Sequence, residues 1–205
     1  MRFVSVDGEE RLLRIPSSAK VGQDYANGQI KHVKIAIRLA MEGGPDEESG
    51  LSYLAALIKN QEAAGADFLD LNVDEASLDR GEQEEAMAWL AAFVQTESDL
   101  PISVDSSAVS VIEAGLNAYG SERARPLLNS ASLERLDALE LALLHNTRVI
   151  VTASGDSAMP DGTERRVRNA GRMINRSSNS SVIRPSSMGT NTSCNFSPGR
   201  MPTIL

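Results

Sequence analysis

The chain has 205 residues, a formal net charge of -8, and a composition that is 41% hydrophobic and 23% charged. This composition excludes a wholly disordered or collagen-like protein, and the acidic balance argues against a nucleic-acid partner, which needs clustered Lys and Arg. A single cysteine and two histidines argue against a disulfide framework or a metal site, and no apolar run approaches the roughly 20 residues of a membrane helix.

The N-terminal part of the chain is the hardest to interpret. Acidic residues stand where a signal peptide would have its apolar segment, so we expect a cytoplasmic protein with no membrane partner. Residues 32–41 fit either a strand or a helix, and no first strand can be placed. The first clear element is a helix that ends at Gly65, with an apolar stripe at helical spacing formed by Leu51, Leu54, Ala55 and Ile58.

From residue 66 onward, short apolar runs alternate with amphipathic stretches. Strands are predicted over residues 66–73, 101–105, 125–130 and 147–153. Helices are predicted from about residue 82, after Ser106 or Ser107 as N-cap, after Ser132 as N-cap, and over residues 161–174. Gly120 stands where a left-handed helix terminator is expected. Strands that alternate with helices indicate right-handed crossovers and a parallel sheet.

The charge pattern changes near the C-terminal end. All 28 acidic residues lie at or before Glu164, whereas the arginines continue to Arg200. From Ser177 the sequence is rich in Ser, Asn, Thr and Pro and follows no helical or strand period. We therefore expect a structured domain over residues 1–176 and a disordered tail over residues 177–205. An arginine–serine interaction tail and translated sequence unrelated to the domain are the alternatives.

Polar side chains stand at the carboxyl end of each predicted strand, where parallel sheets carry their chemistry. They are Asp70 and Asn72, Asp105 with Ser106, Asn129 with Ser130, and Ser154 with Asp156. Such a row suits a flat heterocycle with ring N–H groups and an exocyclic amine, because carboxylates accept hydrogen bonds and carboxamides both donate and accept them. The alternative is that these side chains only cap helices and satisfy loops.

Four segments also resemble the motifs of one family, in the family's order: GADFLDLNVD, PISVDSSAVSVIEAGL, RPLLNSASLE and VTASGDSAMPDGTERRV. The resemblance is to the pterin-binding domains of methyltetrahydrofolate:corrinoid methyltransferases, which include the folate domain of cobalamin-dependent methionine synthase. It runs from about Leu51 to Ile174. Dihydropteroate synthase shares the fold and the Asp and Asn positions, but its second strand usually carries glycines, so Asn72 fits the methyltransferases better.

The resemblance implies an α/β fold of the (β/α)8 TIM-barrel type, here with about five βα units, and a set of pterin-binding residues. Asp105 and Asn129 would hold the pterin ring and Asn72 would contact it from the neighbouring strand, with Asp70 and Ser106 beside them. No catalytic residue and no metal ligand is assigned. Members of the family transfer the N5-methyl group of methyltetrahydrofolate to a cobalamin carried on a partner corrinoid protein, in which cobalt is the nucleophile.

The chain also departs from the family's pattern. The strands that complete the family's site around N5 have no counterpart, and Asp74 stands where Gly is common. We therefore expect a truncated barrel that is inactive as written, whose open sheet edge favours pairing with a second copy. A dihydropteroate synthase-like condensing enzyme and a non-catalytic fragment or interaction module are the alternative functions.

Overall fold

A computed structural model of the chain describes residues 1–21, 23–155 and 161–179. Residues 177–179 are described by their backbone only. The strands are β1 (Arg2–Val4), β2 (Glu10–Leu12), β3 (Leu69–Asn72), β4 (Ile102–Asp105), β5 (Leu127–Ala131) and β6 (Arg148–Val151). The helices are α1 (Gln23–Ala26), α2 (His32–Glu42), α3 (Glu47–Ala63), α4 (Arg80–Glu97), α5 (Val109–Ala118), α6 (Leu136–Leu144) and α7 (Thr163–Asn179). A 3-10 helix, Ser17–Lys20, precedes α1.

The strands β3, β4, β5 and β6 form one parallel sheet in chain order, and α4, α5 and α6 are the crossovers between them. Side chains alternate between the two faces of a strand. Leu71 and Val104 are fully buried within the hydrophobic core, whereas Asp70 and Asp105 alternate with them on the opposite face. The predicted parallel α/β architecture is therefore confirmed.

The polar face of this sheet is concave. Asn129 on β5 donates from Nδ2 to Oδ1 of Asp70 on β3 at 3.5 Å, across the intervening strand β4. The guanidinium of Arg148, at the start of β6, lies 5.4 Å from the ring centroid of Phe68, just before β3. Neighbouring strands lie about 4.8 Å apart in a sheet, so contacts across one and two intervening strands indicate that the sheet curls as a barrel wall does. The four strands thus form part of a barrel.

The two margins of the sheet differ. On the β3 side, Leu69, Asp70 and Leu71 are no more than 3% exposed. On the β6 side, exposed and half-buried residues alternate, and Ile150 is 41% exposed. Within the described ranges no further strand pairs with β6. In the described part of the chain, the margin at β3 is therefore covered by other residues, and the margin at β6 is exposed.

The N-terminal segment does not supply a strand to the sheet. Strands β1 and β2 form a separate antiparallel hairpin, and the ring of Phe3 packs edge-on against Tyr53 of α3 at 5.0 Å. The ambiguous residues 32–41 form helix α2, whose Ile35, Ala36 and Ile37 are buried. The described sheet therefore has four strands, where about five βα units were expected.

Three expected helix boundaries are wrong, because the residues predicted as caps or terminator form other hydrogen bonds in the folded chain. Helix α5 has Ala108 as its N-cap and α6 has Arg135, neither with a side-chain cap. Ser106 is engaged by another loop, and Ser132 forms a turn in which its carbonyl accepts from the Arg135 N–H at 3.0 Å. Gly120 lacks a positive φ, and its N–H donates to Gln95 Oε1 at 2.7 Å instead.

Other boundaries agree with the sequence. Helix α3 ends just before Gly65, whose φ of +79° is the left-handed conformation expected of a terminator. Helix α7 continues to Asn179, beyond the predicted domain end at residue 176. The remainder of the predicted tail lies outside the described residues. Among the residues that the structure describes, no helix is long and apolar enough to cross a membrane.

Candidate functional site

Three of the predicted residues lie side by side at the carboxyl edge of the sheet. Asn72 on β3 is the Cα partner of Asp105 on β4, and Asp105 is the partner of Asn129 on β5. Residues at the same register position of adjacent strands point to the same face. All three are half-buried and lie on the concave face. The fold therefore brings two carboxamides and a carboxylate into one row.

The hydrogen bonds of this row fix the orientation of the Asn72 amide. Asn72 Nδ2 donates to Asp105 Oδ2 at 2.9 Å, and Asn72 Oδ1 accepts from the backbone N–H of Asp74 at 2.9 Å. Both ends of the amide are thus in use. Asp105 Oδ1 has no hydrogen-bond donor among the residues that the structure describes. Within the described part of the chain, this oxygen therefore keeps its capacity to accept hydrogen bonds.

Two other predicted residues lie behind the row. Asp70 is 3% exposed and its carboxylate faces the Asn129 amide. Ser106 is 1% exposed; its hydroxyl donates to the Asp74 carboxylate and accepts from the Ala108 N–H at 3.2 Å. In this arrangement Asp70 and Ser106 support the row from within the protein.

The remaining polar strand ends contribute less to this arrangement. Ser130 is half-buried beside Asn129. The hydroxyls of Ser154 and Thr152 lie 2.9 Å apart. Asp156 lies outside the described residues. The structure therefore groups the candidate site around β3, β4 and β5.

Asp105 stands in an unfavourable electrostatic environment. Burial raises the pKa of its carboxyl above the usual range, and the nearby carboxylates of Asp70 and Asp74 raise it further. The hydrogen bond from Asn72 and the charge of Arg135 oppose this shift but do not cancel it. Such a carboxylate gains more than an exposed one from ligand donors, because it lacks full solvation.

This environment predicts that Asp105→Asn stabilises the unliganded fold at neutral pH. A raised folded-state pKa means that the native state holds the proton more tightly than the unfolded chain does. The contribution of Asp105 to stability is therefore complete below the unfolded pKa of about 3.9 and is lost as pH rises through the higher folded value. Urea unfolding of both proteins should give the variant the larger free energy of unfolding at pH 7, with the gap narrowing toward pH 4. A variant less stable than wild type at pH 7 would contradict this account.

Two residues near the row were missed by sequence reasoning as parts of the site. Asp74 was noted only as a departure from Gly, yet its carboxylate accepts from the Ser107 N–H at 2.8 Å and from Ser106. Arg135 gave no sequence signal; its Nη2 donates to the Ser106 carbonyl at 2.9 Å. Both residues tie the loop after β4 to neighbouring loops, and their contacts depend on the tertiary structure.

Comparison with known protein families gives a match to the pterin binding enzymes over residues 48–193. The chain belongs to this family. The matched range includes the whole β3–β6 sheet and every residue of the row. It also extends past residue 176, into the region predicted as a tail. As a pterin-binding family member with a parallel barrel-type sheet, the chain has the expected partial TIM-barrel fold.

A curated relative agrees with the family match. Methionine synthase of Mycobacterium leprae (strain TN) is 31% identical over 127 residues, which is 58% of this chain. The aligned part is 10% of that protein, so the chain corresponds to about a tenth of its relative. The resemblance to pterin-binding methyltransferases is thereby confirmed.

Proposed function

We propose that the chain binds the pterin ring of a folate on the row formed by Asn72, Asp105 and Asn129. The observation that carries the proposal is the shared register of these residues, with one Asp105 oxygen left for a ligand. A pterin offers a ring N–H and an exocyclic amine on one edge, and a carboxylate accepts from both kinds of donor. The Asn129 amide can meet a neighbouring donor or acceptor of the ring.

We further propose that the reaction served by this site is methyl transfer from methyltetrahydrofolate to a corrinoid on a partner protein. The methionine synthase relative and the Asn72 motif support this choice. When bound, the corrinoid supplies a cobalt nucleophile that accepts the methyl group. The residues of this chain hold and orient the pterin, and orientation with electrostatic assistance is what a protein contributes when a cofactor carries the reactive atom.

The isolated 205-residue chain is expected to bind methyltetrahydrofolate without turning it over at an appreciable rate. Its described sheet has four strands, and a closed barrel of this type has eight. An open sheet cannot exclude water or fix N5 against a corrinoid, and a misplacement of about 1 Å costs about 100-fold in rate. Binding is measured by calorimetry, and turnover by the absorbance change of a reduced corrinoid on methylation.

A parallel assay distinguishes methyl transfer from the alternative reaction. A second incubation with a pterin pyrophosphate and p-aminobenzoate tests the condensation of a dihydropteroate synthase. Condensation in that mixture would replace the methyl-transfer proposal, and robust corrinoid methylation by the chain alone would refute the expected inactivity. Failure of the chain to bind methyltetrahydrofolate or a simple pterin would refute the proposed site itself.

A further inference from the structure

We infer that Asp74 is a positioning residue, whose carboxylate clamps the loop after β4 and so sets the geometry of the Asn72–Asp105 pair for its ligand. The inference rests on the proposed pterin site, which it deepens. Asp74 follows β3 by two residues and makes its contacts with both strands of the pair. It does not need to contact the ligand itself.

The first step is the contact between Asp74 and the β4 loop. One carboxylate oxygen accepts from the Ser106 hydroxyl and the other accepts from the Ser107 N–H at 2.8 Å. These are the two residues that directly follow Asp105. Because both carboxylate oxygens are used, the clamp fixes the direction in which the chain leaves β4.

The second step is the contact between Asp74 and Asn72. The Asp74 N–H donates to Asn72 Oδ1 at 2.9 Å, which directs Asn72 Nδ2 toward Asp105 Oδ2. Asp74 thus fixes the hydrogen-bond donor, the Asn72 amide, through its own backbone N–H. Through its carboxylate it fixes the segment that follows the acceptor, Asp105. The strand pairing would still hold the two backbones together, but loss of the side-chain clamp would leave the side-chain geometry of Asn72 and Asp105 less constrained.

The third step is the support of Asp74 by helix α4. The amide of Gln83, in the first turn of α4, donates to the carbonyls of Asp74 at 2.9 Å and Ser77 at 2.7 Å. Arg80 in turn donates to Gln83 Oε1 at 2.7 Å. Gln83 is only 7% exposed. The loop that carries Asp74 is therefore fixed to a helix, as a residue that positions others requires.

The charge of Asp74 is consistent with this role. Burial raises the pKa of its carboxyl, but the hydrogen bonds from Ser106 and Ser107 and the charge of Arg80 outweigh burial, so the pKa lies below its usual range. Asp74 is therefore ionised throughout the neutral range, and the hydrogen bonds that it accepts from Ser106 and Ser107 are of the stronger, charge-assisted kind.

Two variants separate positioning from charge. Asp74→Ala removes the clamp. Asp74→Asn removes the charge but can preserve the clamp, because its amide oxygen can accept from the Ser107 N–H while its NH2 donates to the Ser106 hydroxyl. The matched control is Glu75→Ala, which removes a carboxylate from the same loop. The Glu75 carboxylate pairs with Lys31 at 3.1 Å and lies outside the clamp.

Methyltetrahydrofolate affinity is measured by calorimetry at pH 7, below the melting temperature of every variant. We expect Asp74→Ala to bind about tenfold more weakly than wild type, the effect of losing one charge-assisted hydrogen bond. Asp74→Asn should recover most of that loss, and Glu75→Ala should bind like wild type. Wild-type affinity in Asp74→Ala, or equal losses in all three variants, would overturn the inference.

A second readout needs no ligand. The side-chain NH2 resonances of Asn72, followed by NMR, should stay sharp and shifted in wild type and Asp74→Asn but broaden and move toward free-amide values in Asp74→Ala. Unchanged Asn72 resonances in Asp74→Ala would overturn the positioning role. If wild type binds no pterin but the resonances change as expected, the proposed function fails while the positioning role of Asp74 stands.

Discussion

Asp105→Asn is expected to weaken methyltetrahydrofolate binding by about 1.5–3 kcal/mol, the cost of losing a hydrogen bond to a charged group. The carboxylate offers Oδ1 to the ligand while Oδ2 is held by Asn72. In the variant, the single amide oxygen can accept a hydrogen bond from Asn72 or from the ligand, but it replaces two carboxylate oxygens. The new NH2 group is itself a donor and cannot accept a hydrogen bond from the donors of the pterin ring. The loss in affinity should accompany the gain in stability expected for the same variant at pH 7.

Calorimetric titration of wild type and variant measures this difference. Asp67→Asn is the matched control, because Asp67 is an exposed carboxylate just before β3, at the opposite end of the sheet from the row. The control should bind like wild type. An Asp105→Asn protein with unchanged affinity would exclude Asp105 from the pterin site, whatever its effect on stability.

Gly50→Ala is expected to lower the free energy of unfolding by about 1–3 kcal/mol, as overpacking of a close contact does. Gly50 lies in α3 where this helix meets α2. A Cβ atom there would lie 2.7 Å from the Ala36 carbonyl oxygen and 2.9 Å from the Ala40 nitrogen. Both neighbours are backbone atoms, so the two helices would have to move apart.

Urea unfolding measures the effect, and Gly171→Ala in α7 provides the opposite case. Among the described residues, a Cβ at Gly171 meets no atom within 4 Å apart from the backbone of its own helix, so the higher helix propensity of Ala should stabilise that variant by up to about 1 kcal/mol. If Gly50→Ala were as stable as wild type, α2 and α3 would not pack as closely as the structure has them.

The sequence predicts the sheet well because its signals there are local. The strands β3 to β6 are short apolar runs, and each has a polar residue at its carboxyl end, so the parallel order places Asn72, Asp105 and Asn129 together. The helix α4 follows from the spacing of Ala86, Met87 and Leu90, which are buried as expected. Periodicity within one element is sufficient for these predictions.

The prediction fails where a residue has several possible partners. Ser106 has the chemistry of an N-cap, but the Asp74 carboxylate takes its hydroxyl, and α5 begins without a side-chain cap. The N-terminal strands β1 and β2 have three residues each, too few for a period to be recognised. Arg135 reaches the β4 loop only because the crossover places β5 beside β4. These features depend on tertiary contacts that no single segment encodes.

The unequal margins of the sheet limit how many copies of this chain can join strand to strand. Among the residues that the structure describes, β3 is buried and β6 is the exposed margin of the four-stranded sheet, where a strand from another molecule could pair. If two copies paired β6 with β6 about a two-fold axis, the exposed margin of each copy would be covered by the other, which is a closed arrangement. Strand-to-strand growth through the described sheet would then end with a pair.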